Sequence, residues 1–274
     1  MNEIPKTVHY CWFGTKNIPE SAYRCIGSWK CYLPTYRIKL WNEENFDVNM
    51  IPYTRDAYAA GKYAFVSDFA RFWILYKEGG LYFDTDVELI RPIDDIIIQG
   101  PFMGCERNAS EMHIEGRKFI CGAVAPGLGL GAYPSMEIYR EIIRYYTSKT
   151  FIKDNTAQET VVPIVSRILY NHGLGKVEKK VSCAGLHIYP AEFFAPKDLD
   201  TRELAITENT RSIHHYDSSW AEWYDKAAGI RGPKLKKALG SFLGSRINLA
   251  IYLYQRHGLT GIVKKLTQKL LKAR

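Results

Sequence analysis

The chain of 274 residues has no apolar run approaching the ~18 residues of a membrane-spanning helix. Its six cysteines (Cys11, Cys25, Cys31, Cys105, Cys121 and Cys183) form no C-x-x-C pair, and its histidines have no zinc-like spacing, which excludes a thiolate zinc module. The first residues, Met1-Asn2-Glu3-Ile4-Pro5, lack the basic region and apolar run of a secretory signal. The expectation is therefore six reduced thiols in a cytoplasm. Internal repeats and low-complexity tracts are missing, and a hydrophobic content of 46% excludes general disorder. Residues 231–274 contain no Asp or Glu at all, yet hold eleven Lys or Arg. The overall charge of +8 is thus a property of that tail, since residues 1–230 carry 26 basic against 29 acidic residues, a net −3. A basic surface spread over the whole protein is absent, and with it the ground for nucleic-acid binding.

What is present concentrates in residues 63–88, YAFVSDFARFWILYKEGGLYFDTDVE. Phe65, Phe69, Phe72, Trp73 and Tyr76 follow i, i+4, i+7, i+8, i+11, which makes one apolar stripe on a helix. Asp68 and Arg71 lie three apart and share a neighbouring face. Gly79-Gly80 can end the helix, and Leu81-Tyr82-Phe83 reads as a short buried strand. That strand delivers Asp84 and Asp86 at its carboxyl end, where open α/β sheets bind ligands. In an extended chain residues two apart point the same way, so both carboxylates are expected to face one small region. Two hard oxygen ligands so placed suit Mg²⁺ or Mn²⁺ together with substrate phosphates. An isolated Asp/Arg pair on a helix is more often a surface ion pair; the nearby D-x-D strand shifts the balance.

Elsewhere, residues 8–13, 37–41, 81–84, 100–105 and 121–125 read as strands. Residues 21–30, 54–62, 63–78, 134–148 and 156–170 read as helices, with Pro163 a kink in the last. Residues 176–195 read as β-rich and loop-like, and 212–220 as a polar turn region. Strands alternating with helices argue for an α/β sheet. In the tail, Leu259, Ile262, Val263, Leu266 and Leu270 share a helix face, with Lys264, Lys265, Lys269 and Lys272 on the same helix. Ile247–Tyr254 adds an apolar block. A basic amphipathic helix of this kind reads equally as packed on the body or as lying in a membrane interface; the lack of any acid favours the interface.

The pattern resembles glycosyltransferase family 32. The matching residues are Ser67-Asp68-x-x-Arg71, Tyr76-Lys77-x-Gly79-Gly80-Leu81-Tyr82-x-Asp84-Thr85-Asp86, Ile4-Pro5-Lys6-x-x-His9-x-x-Trp12-Phe13-Gly14, and Ser28-Trp29 through Leu40-Trp41-Asn42. The resemblance covers residues 1–95, is thin to 230 and ends there. It implies a GT-A-like nucleotide-sugar-binding sheet flanked by helices (residues 1–230), followed by the basic helical tail (231–274). It implies a retaining hexosyltransferase that uses a nucleotide-sugar, a UDP-sugar first and a GDP-sugar as the alternative, with Mn²⁺ or Mg²⁺. It implies Asp86 as the direct metal ligand, Asp84 as a sugar or ribose contact and further ligand, Asp68 and Arg71 on the donor sugar and phosphate, and Trp12 stacked on the base. By position alone Trp12 would read as a core residue.

His215 or His214, with Ser218 and Trp220, resembles the loop that closes over the donor phosphate in the related clostridial toxins; the spacing to Ser218 favours His215 as a metal ligand. Retention proceeds either through an ion pair or through a covalent intermediate. Gln158, beside Asn155 and Glu159, is the candidate beneath the sugar, although the sequence there departs from the family's Gly-Pro. Glu106 and Glu111 are candidates for binding the acceptor. The expected setting is bacterial capsule or other surface polysaccharide synthesis on a glycan or lipid-linked acceptor. The enzyme would sit in the cytoplasm, peripherally on the inner face of the plasma membrane, with residues 231–274 on anionic lipid. Two other classes stay open on the residues: a haloacid-dehalogenase-like phosphatase using Asp84-Thr85-Asp86-Val87, and a non-enzymatic membrane-associated sugar-binding protein.

Overall fold

A computed structural model describes residues 3–114, 116–152, 159–198, 201–217 and 223–271. The elements run β1 (Thr7–Cys11), α1 (Glu20–Tyr32), β2 (Arg37–Trp41), α2 (Pro52–Ala59), α3 (Tyr63–Glu78), β3 (Gly80–Tyr82), β4 (Val87–Leu89), α4 (Asp94–Ile97) and β5 (Phe102–Ile114). There follow β6 (Arg117–Val124), β7 (Leu130–Ala132), α5 (Glu137–Thr147), α6 (Val161–Asn171), β8 (Val181–Cys183), β9 (Leu186–Tyr189), α7 (Ala191–Phe194), β10 (Ser212–His214) and α8 (Trp223–Leu271). The chain divides into two compact units: Met1–Asp198 with Glu203–Tyr216, and Leu199–Arg202 with Asp217–Arg274.

In the first unit the sheet order is β2-β1-β3-β7-β5-β9-β8, with β6 paired to β5. The β2-β1-β3 portion is parallel, and β7 then enters antiparallel to β3 and β5. Side chains alternate between two cores, as a strand period of two requires. Leu81 and Phe83 join the core containing Trp29 and Ile26 of α1. Tyr82 joins the opposite core, with Phe69 and Phe72 of α3 and Ile138 of α5. Helices therefore cover both faces, so the expected α/β sheet flanked by helices is what the chain forms. Phe69 and Phe72 are fully enclosed, each burial stabilising by about 1.5–3 kcal/mol.

The α3 stripe orients the helix, and two glycines release it onto the sheet. Gly79 (φ 67°) and Gly80 (φ 97°) both adopt conformations that side chains disfavour, and a Cβ on Gly80 would lie 2.6 Å from the Thr7 carbonyl. His9 secures the same corner. Trp41 Nε1 donates to His9 Nδ1 at 3.0 Å, which puts the His9 proton on Nε2 facing the Gly79 carbonyl at 3.1 Å. Burial holds this imidazole neutral, with its pKa lowered to about 4.

Two expectations need correction. The acidic pair does not lie on an extended strand: β3 ends at Tyr82, and Val87 N donates to the Asp84 carbonyl at 3.0 Å, making a turn. Pro163 does not kink a helix, because α6 begins at Val161 and the proline sits in its first turn, where an amide donor is not needed.

The second unit is dominated by α8, whose course is broken by non-helical residues at Gly240 (φ 78°) and Gly258 (φ 65°). Among the described residues no helix is long and apolar enough to cross a membrane.

Candidate active site

The centre of the site is the turn that follows β3. Asp84 leaves the strand half-buried, and its backbone N–H donates to Gly127 O at 2.9 Å. Tyr82, two residues earlier, donates its hydroxyl to Asp84 Oδ1 at 3.0 Å. From α3, Arg71 reaches the same carboxylate, with Nη2 at 3.3 Å from Oδ1. The same guanidinium holds Asp68 Oδ1 at 3.0 Å and caps its own helix turn through Nε on Ser67 O at 3.1 Å. Arg71 is only 4% exposed. Three residues expected to work together are thus brought together, with Arg71 between the two acids. Burial raises Asp68 to about 7, outweighing the pull of Arg71. Burial opposes the charge on Arg71, yet Asp84, Tyr82 and Asp68 together raise its pKa and hold it cationic.

Asp86, at the far side of the turn, is reached from 128 residues later in the chain. β4 and β10 form a two-stranded antiparallel ribbon, with Val87 opposite His214. His214 Nε2 donates to Asp86 Oδ1 at 3.0 Å, and the His215 N–H donates to Asp86 O at 2.9 Å. The ribbon itself is pinned from behind. Trp29 Nε1 donates to Val87 O at 2.8 Å, and Ser28 Oγ accepts from Leu89 N at 2.9 Å. Arg91 and Arg211 grip the carbonyls of residues 208–210, which lead into β10. The Ser28-Trp29 motif thus supports the stretch that carries the acids.

The expectation favoured His215 over His214 beside the acids. The structure sets the ring of His214 on Asp86 and that of His215 on Glu88 Oε2, at 2.8 Å. His215 directly follows the last residue of β10, and neighbouring residues of an extended chain point to opposite sides. Burial opposes protonation of His214, but Asp86 foremost, with Asp84 and Glu106, raises its pKa. Lys197 donates to His215 O at 3.1 Å, tying the end of the ribbon down.

Trp12 follows β1 at its carboxyl end. It is half-buried and belongs to neither core, and its indole N–H is satisfied by Lys16 O at 2.6 Å. Glu106 on β5 is half-buried; burial raises its pKa, with His214 opposing. Glu111 is exposed and paired with Lys118 at 2.7 Å on the β5–β6 hairpin. Glu159 accepts from Tyr145 at 2.7 Å. Asn155, Gln158, Ser218 and Trp220 lie outside the described residues.

Two residues that sequence reasoning missed belong to the site. Tyr82 could have been found, because it stands two positions before Asp84. Gly127 had no comparable signal. A Cβ there would fall 1.9 Å from Asp84 Oδ2 and 3.2 Å from Arg71 Nη1, so only glycine lets the backbone lie against the carboxylate.

The donor set can be tested against a divalent ion. Among the described residues no cluster of three His, Cys, Asp or Glu could hold a metal alone. Asp84 and Asp86 offer hard oxygens, and His214 Nδ1 is a buried nitrogen with no hydrogen-bond partner. Two carboxylates with few further protein ligands fit Mg²⁺ or Mn²⁺, which fill the remaining positions with water and substrate phosphate. They do not fit a closed protein cage.

Residues 19–103 match the family described as glycosyltransferase sugar-binding region containing DXD motif. The chain is also similar to two curated proteins of Schizosaccharomyces pombe. Inositol phosphoceramide mannosyltransferase 3 is 34% identical over 101 residues, or 34% of this chain and 27% of that one. Inositol phosphoceramide mannosyltransferase 1 is 28% identical over 114 residues, 38% and 34% of the two. The chain therefore spans about a third of the length of these relatives. Among solved structures, the PaToxG glycosyltransferase aligns at a TM-score of 0.45 with 20% identity, covering 62% of this chain and 70% of that one. A glycosyltransferase involved in glycosylation of the PBCV-1 major capsid aligns at 0.41 with 11% identity, covering 79% and 95%. The family match, which spans the acidic pair, bears out the resemblance to glycosyltransferase family 32.

Proposed function

We propose that this protein transfers a sugar from a nucleotide-sugar to a glycan or lipid-linked acceptor, with retention, and that the transfer depends on a divalent ion held by Asp84 and Asp86. The observation that carries this reading is the convergence of Asp84, Asp86, Arg71, Asp68 and His214 at the carboxyl end of the parallel strands, the first four within the stretch that matches the DXD family. When bound, the ion supplies charge neutralisation for the departing diphosphate. The protein's own residues do the rest. Arg71 and Tyr82 fix the rotamer of Asp84, so that its carboxylate is placed before substrate arrives. Asp68, held by Arg71 at 3.0 Å, sets its carboxyl beside Asp84 as a further contact for the donor. Trp12 offers a half-exposed indole whose N–H is already satisfied, and we assign it the stacking of the base.

The names of the curated relatives favour a mannosyl donor and a phosphate-bearing lipid acceptor. A UDP-sugar is the first donor to test and GDP-mannose the second. The setting we infer is surface polysaccharide or glycolipid synthesis at the inner face of a bacterial plasma membrane, with residues 231–274 on its anionic surface. Calorimetric titration of UDP and GDP with Mn²⁺ tests the site. We expect one nucleotide to bind only with metal, and Trp12→Ala to weaken it by about 1–3 kcal/mol with little change in melting temperature. Metal-independent binding, or a collapse in melting temperature at unchanged affinity, overturns this assignment.

A further inference from the structure

The second unit contains a feature that the tail's sequence pattern did not disclose. Around Gly240 the two arms of α8 fold back antiparallel. Arg231 Nε donates to Asn248 Oδ1 at 2.9 Å, and both of its terminal nitrogens face Gln255 Oε1 at 3.3 Å. Asn248 Nδ2 donates to Ala228 O at 3.0 Å. Nearer the bend, a Cβ on Gly244 would lie 2.5 Å from the backbone of Leu235, so the arms touch backbone to backbone there. The partner numbers converge on residue 240, which makes Gly240 the apex.

That apex is apolar and exposed. Leu239 is 44%, Phe242 71% and Leu243 49% accessible. Lys236 and Lys237 precede it and Arg246 follows, all exposed. The Arg246 guanidinium sits 4.4 Å from the centroid of the Phe242 ring. An apolar tip behind a collar of cations, in a segment with no acidic residue, matches one environment: acyl chains beneath anionic headgroups. A second copy of the tip is disfavoured, because its cations would face like charge with no acid to pair. Nucleic acid would satisfy the cations but leave the apolar tip in water.

We propose that the Gly240 hairpin apex inserts into anionic lipid bilayers, with Leu239, Phe242 and Leu243 entering the acyl boundary and Lys236, Lys237 and Arg246 meeting the headgroups. This rests on the reading of residues 231–274 as membrane-facing, and names the contact within them. The expectation from sequence gave the membrane surface to residues 231–274 as a whole; the side chains of its amphipathic stretch, residues 259–272, lie outside the described residues.

The experiment is co-sedimentation of the full chain with vesicles of phosphatidylcholine alone and of phosphatidylcholine with phosphatidylglycerol. Wild type should bind the anionic vesicles and lose most of that binding in 1 M NaCl, where the Debye length falls to about 3 Å. A combined Leu239→Ser, Phe242→Ser, Leu243→Ser variant should bind at least about tenfold more weakly, with unchanged helical circular dichroism and unchanged transfer to a soluble acceptor. A Phe242→Trp variant should give a blue-shifted emission on anionic vesicles. If the serine variant binds like wild type while a Lys264, Lys265, Lys269, Lys272 to Glu set does not, the apex is not the contact, although the tail still is. If the full chain ignores anionic vesicles, the apex proposal and the membrane reading of the tail both fall. If light scattering shows a dimer that the serine variant dissolves without loss of vesicle binding, the apex joins copies instead, and the proposal is overturned.

Discussion

In the unit that carries the acidic pair, Arg71 and His214 lie at or below 15% exposure, and each meets an acid at 3.0 Å. In the second unit the cations Lys236, Lys237 and Arg246 stand exposed within residues 231–274, which hold no Asp or Glu. Both arrangements cost free energy if nothing answers them, but the answers differ. Buried charges must be paired within the fold, because an isolated ion in a low-dielectric interior is unstable. Their pairing fixes geometry, which a site for chemistry needs. Exposed charges of one sign are solvated and need no internal partner, so they are free to meet something outside. The contrast separates what the first unit positions from what the second is free to touch.

That contrast can be broken by removing one charge on each side. Arg71→Met should destabilise the protein by about 3–5 kcal/mol, since it strips Asp68 and Asp84 of their shared cation. Lys236→Met with Lys237→Met should stay within about 0.5 kcal/mol. Urea denaturation of both decides; equal effects would dissolve the distinction. Next in size is an acid effect confined to the first unit. His9 is buried with its folded pKa near 4, against 6.5 unfolded. The unfolded chain therefore takes up a proton that the folded chain refuses. Stability should be lost as pH falls from about 6.5 to 4, by up to about 3 kcal/mol. Chemical denaturation across that range, compared with His9→Phe, isolates the part due to this group. A variant with the same pH slope as wild type would falsify the assignment.

The third change touches chemistry and leaves the fold alone. Asp86→Ala should cut transfer on the order of 10²-fold or more, with circular dichroism unchanged and vesicle binding intact. Gly127→Ala should lower transfer in the same direction, because its methyl group must displace the Asp84 carboxylate; wild-type turnover there would remove Gly127 from the site. The smallest effect belongs to the hairpin. Arg231→Ala, which gives up side-chain hydrogen bonds to Asn248 and Gln255, should cost about 1 kcal/mol. It should lower helical content in α8 before it lowers transfer to a soluble acceptor.

Much of the parallel half of the sheet was legible because its signals are local. The α3 stripe, the Gly79-Gly80 stop and the apolar Leu81–Phe83 run each act over a few residues, and their periods report which face is buried. The acidic pair was legible as chemistry but not as shape. A period of two placed Asp84 and Asp86 side by side on a strand, whereas the chain bends at Asp84 and sets them on a turn. The chain composition likewise gave the sign of the tail, and its glycines were visible without their meaning.

The sequence by itself determined that residues 63–86 present two carboxylates after a short strand, that Asp68 and Arg71 share a helix face, and that the last 44 residues carry charge of one sign. The tertiary structure alone decided that His214, rather than His215, meets Asp86. It alone brought Gly127 against Asp84 and bent α8 into a hairpin at Gly240. The reason is sequence separation: propensity and period act within a turn or two of chain, whereas a partner 128 residues away is chosen by strand register and by what the two cores leave room for.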